Sequence, residues 1–175
     1  MRETPEQLHH LQELLDRSFA ESSEHLRSIM EPQRRLSAER LASELPSPAV
    51  LNVATVTARG EPRLSAVDGH FLYGRWHFTT EINSPKARQL IARPAISASY
   101  TPRDGYGVFV HGRAEPLTRA DRTMLREHFA ATYGIEPETL GEIAYFRVVP
   151  HWMTAFAMTE EEMAGIEAAR AARAE

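Results

Sequence analysis

Between Arg63 and Leu90 the chain reads RLSAVDGHFLYGRWHFTTEINSPKARQL, and its polar residues have the types and spacing of an anion site. Ser84, Lys86 and Arg88 crowd the expected first turn of a helix, where unpaired backbone N–H groups and the positive end of the dipole favour a phosphate. Cations at that end oppose the dipole, so Lys86 and Arg88 either serve an anion or face solvent, and we adopt the anion. Arg63, on an earlier strand, can reach the same group. A charge-assisted hydrogen bond is worth about 1.5–3 kcal/mol, so three or four of them anchor a dianionic phosphate. Thr79 and Thr80, just upstream, offer hydroxyls and strand backbone to a polar heteroaromatic ring. The whole outlines a cradle for a nucleotide-like cofactor. Lys86 is singled out further because it is the single lysine beside 19 arginines, and a compact ammonium is not interchangeable with a planar guanidinium.

Other chemistries are excluded by what the chain lacks. Zero cysteines remove disulfides, iron–sulfur clusters, thiolate zinc sites and a cysteine nucleophile, and they fit a reducing compartment. The eight histidines are scattered at His9, His10, His25, His70, His77, His111, His128 and His151. None forms an H-x-x-x-H or H-E-x-x-H pattern, so no metal site is expected, and most should lie at the surface or be partly buried. No G-x-S-x-G, P-loop or dinucleotide glycine fingerprint occurs. No catalytic side chain is assigned.

The elements that must position the cradle follow from the hydrophobic pattern. From Pro5 to Met30, apolar residues at three- and four-residue spacing predict one or two amphipathic helices, and Ser37 is the expected N-cap of a short helix through Leu45. Short β-branched and aromatic runs come next: Val50–Thr57, Arg63–Asp68, His70–Tyr73 and Trp76–Thr80, joined by turns at Arg59–Pro62 and Gly74-Arg75. Ser84-Pro85 reads as an N-cap followed by proline in the first helical position, opening a helix over Lys86–Ala92. Ala95–Thr101 and Tyr106–Glu115 are strands, and Thr118–Tyr133 is a helix that Gly134 caps. Ala144–Val149 and His151–Met158 are strands on either side of Pro150, and a charged, alanine-rich, solvated helix begins at Thr159. The rings of Trp76 and Trp152 suit core packing, and also stacking on a flat ligand.

About seven short strands with few helices predict a mainly β chain with flanking helices (α+β): a closed or partly closed, Greek-key-like barrel of antiparallel strands, since closure removes exposed edges. The expected division is a helical extension over 1–36, a barrel over 37–158 and a terminal helix over 159–175. The 175 residues, 42% of them hydrophobic, suffice for one such domain. The net charge of −4 gives no attraction to nucleic acid or an anionic membrane. The polar, acidic start and the absence of an apolar run near the roughly 20 residues that span a bilayer predict neither secretion nor membrane insertion, hence a cytoplasmic protein.

Over roughly Ser37 to Met158 the sequence resembles the pyridoxamine 5′-phosphate oxidase-like superfamily of FMN-binding split barrels. That family carries R-x-V-L-L-K on a strand and T-x-x-x-S-R-K entering a helix. Arg63 falls on the first arginine; Thr80, Ser84 and Lys86 fall on the threonine, serine and lysine. Arg88 continues the basic helix start, Arg93-Pro94 stands where the family often has Asn-Pro, and Gly112 matches a glycine of the following strand. Pro85 replaces the motif arginine and Asp68 the motif lysine. Tyr106-Gly107 stands where the oxidases proper place Arg-Gln, and their C-terminal R-x-x-x-L-type signature is missing, which argues against a pyridoxamine 5′-phosphate oxidase proper.

V-A-T-V-T-A-R-G-E-P, F-T-T and S-P-K-A-R-Q-L look closer to the actinobacterial branch, whose members bind FMN, a deazaflavin coenzyme or haem. The resemblance implies an FMN-dependent oxidoreductase acting on a small planar substrate. A deazaflavin reductase and a non-catalytic flavin- or haem-binding module are the alternatives. Arg63, Ser84, Lys86 and Arg88 would hold phosphate, and Ser65, Val67, Thr79 and Thr80 would line the ring. Donors from Ser65, Thr79 or Arg63 would face its pyrimidine end. The resemblance also implies a homodimer with the cofactor at the interface, where residues from Tyr106 to His111 and around Trp152 would shield the ring. In a haem-binding member, His111 or His151 would ligate iron.

Overall fold

The computed structural model describes residues 3–173; Met1, Arg2, Ala174 and Glu175, at the ends of the two expected terminal segments, lie outside them. Six antiparallel strands form a closed barrel: β1 (Ala49–Val56), β2 (Pro62–Leu72), β3 (Arg75–Glu81), β4 (Ala95–Tyr100), β5 (Tyr106–Pro116) and β6 (Ile143–Ala157). Their order around the barrel is β1-β2-β3-β6-β5-β4, closed by the pairing of β1 with β4. Every strand has two neighbours, so no edge is left to template aggregation.

Inward positions alternate with outward ones. Leu51, Val53, Phe78, Phe146, Val108 and Met153 meet in a continuous apolar core, the arrangement that a period of two residues dictates when one face is buried. A smaller apolar cluster joins Leu72 of β2 and Tyr145 of β6 to Leu117, Leu125 and Phe129.

Two expected breaks are absent, so the eight runs named from sequence form six strands. Arg63–Asp68 and His70–Tyr73 run together through Gly69 as β2. A side chain at Gly69 would put its Cβ 2.7 Å from the Leu51 Cβ and 3.2 Å from the Trp76 ring. The glycine therefore marks close packing and not a turn. The two C-terminal runs merge likewise into the 15-residue β6, with Pro150 inside it. Pro150 pairs with Gly112 and Trp152 with His111, so His151 is the extra residue of a β-bulge. Proline has no N–H to give to the ladder and is accommodated at such an irregularity. The bulge also changes which residues face inward. Ala144, Phe146 and Val148 are buried before it, Met153, Ala155 and Ala157 after it.

Six α-helices flank the barrel: α1 (Pro5–Ala20), α2 (Glu24–Ile29), α3 (Ala38–Glu44), α4 (Pro85–Ala92), α5 (Arg119–Tyr133) and α6 (Glu160–Ala171). Each begins where a side-chain oxygen caps it. Ser37, Ser84, Thr118 and Thr159 accept the backbone N–H of Arg40, Ala87, Asp121 and Glu162, an arrangement worth about 1 kcal/mol per helix. Gly134 ends α5 in the left-handed region at φ 70°, where a Cβ is strained. α1 lies on β6 and α3, and Ser18 Oγ accepts the Met153 N–H at 2.9 Å. Buried Ala87 and Leu90 join α4, which follows β3 in the chain, to the core against β1, β5 and β3. α6 buries no residue, and no helix of the described residues is long and apolar enough to cross a membrane.

Candidate functional site: a cleft at the start of the fourth helix

The first turn of α4 lies beside β2, and Thr55, Arg63, Leu64, Ser65, Pro85, Lys86 and Gln89 surround a cleft of about 250 Å³. Arg63 and Ser65 lie two apart on β2 and so share a face. On the helix, Lys86 and Gln89 share a face by three-residue spacing. The Lys86 ammonium donates to the Ala66 carbonyl at 3.1 Å, which leaves further donors on a group with three. Burial lowers its pKa from the usual lysine range, as expected for a charge losing water, and an anion in the cleft would restore what burial removes.

Among the described residues Arg63 pairs with Glu61, at 2.9 Å, with 63% of its side chain exposed. Such a pair is worth about 0–1 kcal/mol, against about 1.5–3 kcal/mol for a charge-assisted bond to a bound anion. Arg63 is thus available to a ligand. Ser84 holds the Ala87 N–H at 3.2 Å and meets Thr80 Oγ1 at 3.1 Å, which fixes the helix start against β3.

The expected residues divide between places. Arg63, Ser65 and Lys86 line the cleft; Ser84 and Thr80 adjoin it through their mutual hydrogen bond. Val67, two residues beyond Ser65, is buried in the core. Arg88 is exposed and does not line the cleft; two residues from Lys86 on a helix is the opposite side. Thr79 points to the other face of β3, into a pocket with Asp68, Phe129, Tyr133, Ile135 and Leu140.

Trp152 is half-buried on the outward face of β6, and its ring stacks on His111 at 4.9 Å and 23°. The bulge at His151 turns it outward. It lies outside the core, unlike Trp76. His111 also meets Ser97 Oγ at 2.8 Å, and burial, then the charge of His151, lowers its pKa.

Gln89 and Thr55 escaped the sequence reading. Buried Thr55 donates to the Gln89 carboxamide oxygen, which leaves the Gln89 NH₂ as the donor beside Lys86. The i, i+3 spacing from Lys86 was the signal. His9, His10, His25, His111 and His151 are exposed, in line with the expectation for most histidines, whereas His70, His77 and His128 are buried, at 0%, 5% and 8% exposure.

No protein-family model matches the sequence, nor does any curated protein. Solved structures do match. A conserved hypothetical protein of Mycobacterium tuberculosis superposes with a TM-score of 0.60 at 18% identity, over 73% of this chain and 88% of that one. A candidate pyridoxamine 5′-phosphate oxidase of Listeria innocua gives 0.57 at 12% identity, over 67% and 95%. The fold is that of the pyridoxamine 5′-phosphate oxidase-like split barrels. A FAD-binding protein of Mesorhizobium loti shares this split barrel with a TM-score of 0.54 at 17% identity, over 72% and 98%. Identities this low connect the split barrels by fold, and function has to be argued from the site.

Proposed function

We propose that this split barrel binds FMN and acts as an FMN-dependent oxidoreductase on a small planar substrate. The observation that carries the reading is the convergence of Arg63, Ser65 and Lys86 on one cleft at the capped start of α4, on a fold shared with a FAD-binding protein. The donor set fits a phosphate: two cations, the Ser65 hydroxyl and the Gln89 NH₂ surround the cleft, and no carboxylate lines it. Hydride transfer is the chemistry that FMN supplies when bound. The chain's own part is to neutralise the phosphate with Lys86 and Arg63 and to keep the strand backbone from Ser65 to Val67, with Thr80, in register beside the ring.

The protein works as a homodimer in the cytoplasm, in this reading. The outward side chains Leu64, Phe109, His111, Trp152 and Phe156 meet the same face of a second copy and keep water from the ring.

The test is the visible spectrum of the purified protein, repeated after separate addition of FMN, deazaflavin coenzyme and haem and removal of unbound ligand. Retained FMN, followed by its bleaching with a nicotinamide donor and recovery with a planar acceptor, is the expected result. Retention of deazaflavin alone or of haem alone overturns the FMN assignment, and retention of none overturns the phosphate cleft.

A further inference from the structure

Asp68 of β2 and Thr79 of β3 share a pocket of about 250 Å³ with Phe129, Tyr133, Ile135 and Leu140. None of these residues lines the α4 cleft. The pocket combines apolar walls with one charged point. Phe129 and Tyr133, one turn apart on α5, stack at 5.6 Å and 23° and make an aromatic wall. Ile135 and Leu140, on the segment after the Gly134 cap, add aliphatic surface that remains exposed.

Asp68 carries the only formal charge among the residues that line the pocket. The Tyr133 hydroxyl donates to its Oδ2 at 3.0 Å and lies 3.2 Å from His70 Nε2, so the phenol is fixed from two directions. Burial first, then the hydrogen bond to Asp68 and its charge, push the Tyr133 pKa up, and the phenol stays a donor. An ionised carboxylate has about four lone-pair positions on its two oxygens. One bond from Tyr133 therefore leaves most of its accepting capacity to a ligand. A group that accepts and does not donate repels an anion and selects a cation with N–H bonds.

The segment that carries Ile135 and Leu140 is held in place by the protein itself. Arg126 of α5 bridges Glu136 at 3.1 Å and Glu138 at 3.2 Å, and the hydroxyl of buried Tyr145 donates to Glu138 Oε1 at 2.8 Å. A preformed wall spares a ligand the cost of ordering it. Apolar walls with a few placed polar groups are the usual composition of a small-molecule site, and drug-sized ligands need roughly 300–1,000 Å³. The smaller volume here suits one ring with a short arm.

We propose that this pocket binds a small aromatic amine in its protonated form, with the ammonium on Asp68 and the ring extending the stack of Phe129 and Tyr133. The site is independent of the FMN assignment, since the two sets of lining residues do not overlap.

The experiment is isothermal titration calorimetry of the full-length protein near neutral pH with phenethylamine and two molecules of similar shape, neutral phenethyl alcohol and anionic hydrocinnamate. The expected result is one phenethylamine per chain, binding of the alcohol weaker by about tenfold or more, and no binding of hydrocinnamate. Asp68→Asn removes the charge at an exposed position and keeps an acceptor for Tyr133, so it should fold as the wild type does, which circular dichroism checks. It should lose about tenfold or more in phenethylamine affinity and change the alcohol by less than about twofold. Absence of saturable phenethylamine binding to the wild type, equal affinity for amine and alcohol, or undiminished amine binding by Asp68→Asn overturns the site.

Discussion

Thr79 and Thr80, neighbours on β3, serve opposite sides of the sheet: Thr80 Oγ1 meets Ser84 Oγ at 3.1 Å beside the α4 cleft, whereas Thr79 lines the pocket shared by Asp68 and Tyr133. The two hydroxyls are one residue apart in sequence and separated by the thickness of a strand. Thr79→Val should therefore leave FMN affinity within about twofold, because only the cleft side carries charge-assisted contacts. Ser84→Ala should both weaken FMN and lower stability by about 1 kcal/mol through loss of the α4 cap. Fluorescence titration and denaturant unfolding read the two effects separately. Equal loss of FMN affinity in both variants would show that the ring lies on the Thr79 side.

Lys86 is the cation most enclosed by the cleft, and burial alone lowers its pKa. Lys86→Met should remove one charge-assisted bond, about 1.5–3 kcal/mol, or roughly a 10- to 150-fold loss of FMN affinity. Riboflavin lacks the phosphate. Its affinity should hardly change, so the ratio of FMN to riboflavin binding isolates the contact. A parallel loss for both ligands would move Lys86 away from the phosphate.

Much of this was legible in sequence, for identifiable reasons. Ser37 and Ser84 are local signals, because a cap needs only its own helix, and each caps where it was expected; Thr118 and Thr159, expected as the first residues of their helices, turn out to be their caps. The cleft residues Arg63, Ser65 and Lys86 were legible through spacing. What escaped was the tertiary meaning of glycine and proline. Gly69 looked like a break between two strands but admits Leu51 and Trp76, and Pro150 looked like a strand end but sits at a bulge. Opposite it, a Cβ on Gly112 would collide with the Val149 carbonyl. That bulge changes the inward phase of β6, so no periodicity count could have placed Trp152 outward. The buried histidines escaped because His70 and His128 are 58 residues apart and only the packing of α5 on β2 brings them together.

His77 supplies a pH dependence. Burial, opposed by the hydrogen bond to the Arg75 carbonyl, lowers its pKa from 6.5 to about 4. The folded protein therefore refuses a proton that the unfolded chain accepts. Stability is fully present above pH ~6.5 and falls as the pH drops toward 4, by about 3 kcal/mol for this group. Urea unfolding at a series of pH values checks it. His77→Leu should flatten the curve between pH ~6.5 and ~4; an unchanged slope would assign the acid sensitivity to other groups.

The proposed dimer makes the last prediction. Val50 and Leu64 are 67% and 74% exposed on neighbouring strands, and Phe109 and Phe156 stack half-buried at 6.3 Å on the same outward side. Exposed apolar surface gathered in this way marks an interface more often than a free face. A charge at its centre cannot be buried without a partner, so Phe109→Glu should convert the dimer to a folded monomer. Sedimentation velocity reads the mass and circular dichroism the fold. If two copies complete each FMN site, ligand retention should fall together with dimerisation, since binding to the dimer alone couples the two equilibria. A Phe109→Glu monomer that holds FMN as tightly as the wild type would place the cofactor wholly within one barrel.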